Sequence, residues 1–181
     1  MKRLKLVSGI TALYFLFCFA QCKKSRPDSN GLPAATQDGK NTLGFLQNGQ
    51  PWMPQGNNGT GNLDLYYDAT FQGGVFNLSA YRNVSTTNGN RQSLVMYGDS
   101  IQTAQRIILP NKNRFGLTFW NEAKRCTYDT FDSTTQILSG YFDLKKLDKV
   151  NGIFSGEFEM KFRKTGCDDV QITQGRFDLK F

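Results

Sequence analysis

The stretch "GIFSGEFEMKFRK", Gly152–Lys164, decides the fold. Phe154, Phe158, Met160 and Phe162 share one parity, while Ser155, Glu157, Glu159, Lys161 and Arg163 share the other. Alternation of period two marks a β-strand with one face in a core and the other in water. The final stretch, "GRFDLKF", repeats the pattern with Phe177, Leu179 and Phe181 inward and Arg176, Asp178 and Lys180 outward. Upstream, Val170 and Ile172 have the opposite parity. The register therefore slips once near Gly175, and a β-bulge at that glycine accommodates the slip.

Working outward, further strands read in "LDLYYDA" (Leu63–Ala69), "VFNLSAY" (Val75–Tyr81), "SLVMYG" (Ser93–Gly98), "FGLTFW" (Phe115–Trp120) and "GYFDLKKL" (Gly140–Leu147). Only "TAQRIIL", Thr103–Leu109, is compatible with a short helix. Asn-Gly recurs at Asn48-Gly49, Asn88-Gly89 and Asn151-Gly152, and Gly73-Gly74 follows Phe71-Gln72. Asn and Gly tolerate the positive φ of two-residue hairpin turns. The expected fold is all-β, an antiparallel meander of about nine strands closed as a sandwich or a partly open barrel.

The N-terminus gives an address. Lys2, Arg3 and Lys5 precede an apolar run from roughly Ile10 to Ala20, the layout of a signal peptide and too short to span a bilayer. Two cysteines follow, Cys18 and Cys22. Phe17 is too bulky for the position before a lipoprotein cleavage site, whereas Cys22 has the small Ala20 two residues before it and Gln21 beside the cut. Cys22 is the expected lipid attachment point; ordinary cleavage after Ala20, giving an unlipidated secreted chain, is the alternative. From Lys23 to Asn41 the chain is polar and rich in Pro, Gly, Ser and Asn. That composition predicts a flexible tether with an r.m.s. span of about 25 Å. The expected organisation is a signal peptide over 1–21, a tether over 22–42 and one β domain over 43–181.

The net charge of +7 overstates the basicity of the mature chain, which from Cys22 onward carries 19 Lys+Arg against 15 Asp+Glu. These charges form no basic cluster, which argues against nucleic-acid binding. Cys126 and Cys167, an even pair in an exported chain, read as a disulfide, with two buried free thiols as the alternative. The chain has no histidine and no closely spaced cysteine pair, so neither a metal site nor a histidine-dependent triad is expected. No motif implies a cofactor.

Candidate chemistry is sparse. Glu157 and Glu159 lie two apart on one strand face, where solvated charges are commoner than an acid/base pair facing across a cleft. Asp168-Asp169 reads as a hairpin tip rather than a cation site, and "QGNNGTGNLD" lacks the carboxylates of a calcium loop. Aromatic side chains are the remaining resource. Trp52, between Pro51 and Pro54, and Tyr66, opposite in parity to Leu65 and Tyr67, are the candidate ligand-binding aromatics, although Trp52 can instead plug the core.

The opening "NTLGFLQNGQPWMPQG" and the close "FSGEFEMKFRKTGCDDVQITQGRFDLKF" resemble the two ends of a family of small Bacteroidota lipoproteins. The matching features are Phe45, Asn48-Gly49 and Trp52 at the start and Thr173, Gly175 and Phe177 at the end. The resemblance implies an outer-membrane lipoprotein and supplies no reaction. "DSI" at Ser100 and "DST" at Ser133 resemble the O-glycosylation signal of that phylum. Two function classes follow: a non-enzymatic binding or accessory domain whose partner is a glycan or an envelope protein, and an enzyme or enzyme inhibitor with a site assembled from scattered Asp, Tyr and Arg.

Overall fold

A computed structural model describes residues 27–57, 59, 61–84, 90–111 and 113–181. The signal segment, Cys18, Cys22 and the Asn88-Gly89 turn lie outside the described residues. The strands are β1 (Thr42–Gln47), β2 (Gln50–Trp52), β3 (Leu63–Asp68), β4 (Val75–Asn83), β5 (Arg91–Gly98), β6 (Gln105–Leu109), β7 (Phe115–Asn121), β8 (Cys126–Asp129), β9 (Thr135–Asp148), β10 (Ile153–Lys164) and β11 (Val170–Lys180). They form two antiparallel sheets, one of six strands in the order β2-β1-β11-β10-β9-β6 and one of five in the order β3-β4-β5-β7-β8. The sheets face each other as a sandwich and do not close into a barrel.

The architecture follows from strand parity. Phe154, Phe158, Met160 and Phe162 of β10 are all buried, and with Phe142 and Phe177 they form the floor of the core. The Phe142 and Phe177 rings stack at 5.4 Å, and Phe76 of the opposing sheet stacks on Phe142 at 5.0 Å. The slip near Gly175 is present: Phe158 pairs with Gly175 but Met160 pairs with Ile172, and β1 shifts at the same place, from Gly44–Arg176 to Leu46–Thr173. Gln174 takes the positive φ, 53°. Gly175 is required for another reason, since a Cβ there would stand 2.4 Å from the Phe158 carbonyl oxygen. Asn48 and Gly49, with φ 49° and 80°, make the expected tight turn between β1 and β2.

The eleven strands exceed the expected count of about nine, and β2, β6 and β8 are only three to five residues long. β6 corrects the helical expectation for "TAQRIIL". Ile107 and Leu109 point inward against β9 while Ile108 is left exposed at the sheet edge. The connectivity is also more than a meander, because β6 crosses to the six-stranded sheet between β5 and β7, which pair directly.

The tether needs the larger correction. From Pro27 to Asn41 the chain lies as a strap on the outer face of the six-stranded sheet, and Leu32 is completely buried. Asp28 forms an ion pair with Arg176 at 2.8 Å, and Asn30 donates to the Gln174 side chain at 2.8 Å. The buried Asp178 carboxylate accepts the Thr36 hydroxyl at 2.5 Å and the amide N–H groups of Asp38 (3.1 Å), Gly39 (2.7 Å) and Lys40 (3.2 Å). Burial alone would push the Asp178 carboxyl up, but the Thr36 hydroxyl and these amides outweigh it and hold the group below its ordinary value. Composition argued for disorder because the segment has little to bury. What orders it is a charged acceptor on another strand that satisfies its backbone.

Candidate functional site

The five-stranded sheet turns Leu65, Leu78, Leu94, Met96, Leu117 and Phe119 into the core, so the alternate residues of its strands face outward. Register places Tyr66, Asn77, Tyr97 and Gly116 in one transverse row across β3, β4, β5 and β7. The row beside it runs Asp64, Ser79, Val95, Thr118 and Asp129. A third holds Tyr81, Ser93, Trp120 and Thr127. Between its Asp64 and Asp129 margins this outer face sets the Tyr66, Tyr97 and Trp120 rings among small neutral polar groups, while Tyr81 is buried with Arg91 over its ring.

Gly116 explains why Tyr97 lies flat. A Cβ at that position would fall 2.0 Å from the Tyr97 ring, so the ring covers bare backbone. Phe131, in the turn after β8 and 74% exposed, stacks against Tyr97 with centroids 5.7 Å apart and planes 26° apart. Tyr66, 57% exposed, stands two strands away, about 10 Å at ordinary strand spacing. Burial pushes the Tyr97 phenol above its ordinary value and the Asp129 charge adds to the effect, so the hydroxyl stays neutral.

At the end of the face beside Tyr97 and Phe131 an open recess of about 220 Å³ is lined by Asp99, Asn113 and Arg114 as well as the rings. Arg114 donates from Nη2 to the Ser100 carbonyl (2.8 Å) and to Gln105 (3.0 Å). Its Nε–H is buried and has no hydrogen-bond partner among the described residues. The arrangement can stack on a flat apolar surface and hydrogen-bond to hydroxyls around it. Asp64 and Asp129 sit at opposite margins of the face, four strand spacings or about 19 Å apart. A glycosidase pair needs about 5–9.5 Å.

The sequence candidates fare unequally. Tyr66 belongs to this face. Trp52 does not. It is fully buried, stacks on Phe45 at 4.6 Å and donates its indole N–H to Gln92 at 3.0 Å, so it plugs the core and cannot meet a ligand. Cys126 and Cys167 are bonded, with Cα atoms 6.1 Å apart, and join the edge of the five-stranded sheet to the β10–β11 turn. Glu157 lies on the other side of the sandwich, 3.7 Å from Lys145, and Glu159 accepts the Gln174 amide. Asp168 pairs with Lys124, and Asp169 receives two hydrogen bonds from Arg163 at 2.8 Å each. Ser100 and Ser133 are both exposed in connecting segments.

Tyr97, Trp120 and Phe131 were not singled out from sequence. The signal was present for two of them, since Tyr97 alternates against Leu94 and Met96, and Trp120 against Leu117 and Phe119. No protein-family model, curated protein or solved structure matches this chain.

Proposed function

We propose that this chain is an exported lipoprotein of the family its two ends resemble, acylated at Cys22 and held at the outer membrane, and that its sandwich is a glycan-binding module without catalytic activity. The address rests on the basic N-terminal residues, the short apolar run and the cysteine behind Ala20 and Gln21. The ligand class rests on one observation, the outer face where Tyr66, Tyr97 and Trp120 are interleaved with Asn77, Ser79, Ser93 and Thr118. A sugar ring offers an apolar C–H face and a rim of hydroxyls. Flat aromatic surface pairs with the first, and short neutral donors and acceptors pair with the second. The recess lined by Asp99, Asn113 and Arg114 offers further polar groups at the end of the face.

Two measurements test the two halves. Metabolic labelling with a fatty-acid analogue is expected to mark the wild type and not Cys22→Ser; label on the variant, or none on the wild type, refutes the anchor. For the ligand, tryptophan fluorescence is titrated with neutral and acidic glycans, Trp52 being buried and Trp120 half-buried. A response that Trp120→Phe removes and Tyr97→Ala weakens is expected. If no glycan in the panel perturbs the fluorescence or retards the protein in affinity gels, the glycan reading is wrong.

A further inference from the structure

The strap limits how the domain can stand on a membrane. Taking the acylation of Cys22 proposed above as given, the distance from the lipid to Asp28, the first described residue tied to the sheet, is six residues. Fully extended, these reach about 20 Å. The strap leaves the six-stranded sheet over Arg176 and Gln174 of β11, where Asp28 and Asn30 are tied down. β11 lies two strands in from the β2 edge. To turn the aromatic face toward the bilayer, the chain would have to run about 10 Å to that edge and then about 20 Å past the thickness of the sandwich and its side chains. Six residues cannot cover that path.

We infer that the outer face of the six-stranded sheet, around the exit of the strap, rests on the phospholipid headgroups of the leaflet that holds the lipid, and that the aromatic face looks directly away from it. Charge supports the same orientation. The link itself, "KKSR", places Lys23, Lys24 and Arg26 beside the headgroups. On the same sheet Lys161 and Lys180 are exposed at outward positions, while Arg163 is paired with Asp169 and Glu157 lies beside Lys145, so the link carries most of the uncompensated positive charge on this side. Basic groups next to a leaflet containing anionic lipid are attracted to it, and acidic groups are best kept away. A ligand-binding face held off the bilayer and pointed outward is accessible to a polymer too large to enter the gap.

The test uses the full-length lipidated chain in vesicles of phosphatidylethanolamine and phosphatidylglycerol. Cys126 and Cys167 are bonded to each other and Cys22 carries the lipid, so an introduced cysteine is the one free thiol of the mature chain. A fluorophore is placed in Lys161→Cys and, separately, in Asp64→Cys, and quenched by a nitroxide on the lipid headgroup. Quenching at least about threefold stronger at position 161 is expected from the thickness of the sandwich. Equal quenching, or stronger quenching at position 64, in protein that carries the acyl label overturns the orientation and leaves the anchor standing. Protein that neither takes up acyl label nor floats with vesicles overturns both. Inserting roughly 15 Gly/Ser residues between Lys24 and Ser25 should keep vesicle association and erase the difference between the two positions, because such a linker spans about 20 Å more as a coil. A difference that survives the insertion shows that the short link does not set the orientation.

Discussion

Replacing Asp178 by alanine is the sharpest test of the strap. The side chain is 1% exposed and accepts four hydrogen bonds, all from residues 36–40. A hydrogen bond contributes about 1 kcal/mol net, and somewhat more with a charged acceptor, so the four together could be worth about 4 kcal/mol or more. The cost of the substitution is capped by the docking free energy of the strap, because once that is lost the strap lifts and water satisfies its amides. Docking also buries Leu32, worth about 1.5–3 kcal/mol, against the entropy of ordering the segment. A loss of about 3 kcal/mol is therefore expected for Asp178→Ala, and about half of it for Asp178→Asn, which keeps one acceptor oxygen. Urea unfolding followed by tryptophan fluorescence measures the loss. Amide hydrogen exchange locates it: protection at Asp38, Gly39 and Lys40 should vanish while β10 remains protected. A loss under about 1 kcal/mol, or unchanged exchange at these three amides, would refute the account of why this polar segment is ordered.

The double variant Cys126→Ser/Cys167→Ser should lose about 4 kcal/mol in the chain-entropy account, given a sequence separation of 41, and keep its fold because Tyr128 still donates to the Asp168 carbonyl across the same seam. Thermal melts measure the loss, and free thiols in the denatured, unreduced wild type would contradict it. Gly175→Ala should cost more than about 2 kcal/mol, read from its urea midpoint, because its Cβ would meet the Phe158 carbonyl oxygen at 2.4 Å and neither strand can retreat. Acid should destabilise the fold in a defined window. Lys164, with help from the Thr134 amide and hydroxyl, holds the Asp132 carboxyl down to about 2, and Asp178 is also held low. Both contributions are fully present above the ordinary carboxylate range and fade as pH falls through the depressed values. Urea midpoints should therefore drop between about pH 4 and pH 2, and Asp132→Asn should flatten that drop.

Much of this molecule was legible because one period governs it. The alternation in Gly152–Lys164 and the slip near Gly175 specify β10, β11 and the bulge between them, and inward phenylalanines specify the core. "QRIIL" was ambiguous because its apolar run does not alternate: Ile108 sits on an edge strand and is exposed in spite of its chemistry. Trp52 was open to two readings, a ligand-binding ring or a plug of the core. Pairing of β1 with β2, which the sequence does not display, sets it directly opposite Phe45 and decides for the core. The strap was invisible because its partners, Arg176 and Asp178, are more than 130 residues away and bind largely its backbone, which composition does not record. The aromatic face falls between these cases. Parity marks Tyr97 and Trp120 as outward, but their assembly with Tyr66 requires the registry of β3, β4, β5 and β7.

The pairing of β1 with β11 carries a consequence for how the chain is made. Thr42 meets Asp178, and the strap that precedes β1 closes over that same aspartate. Any machine that delivers the polypeptide N-terminus first must emit β11 before β1 has a neighbour on that side. Until then the strap lacks Asp178 and the six-stranded sheet stays open at its centre. Loop closure over so many residues is slow. The domain is thus kept open until β11 has emerged, and the step that joins β11 to β1 also brings Asp178 under the strap.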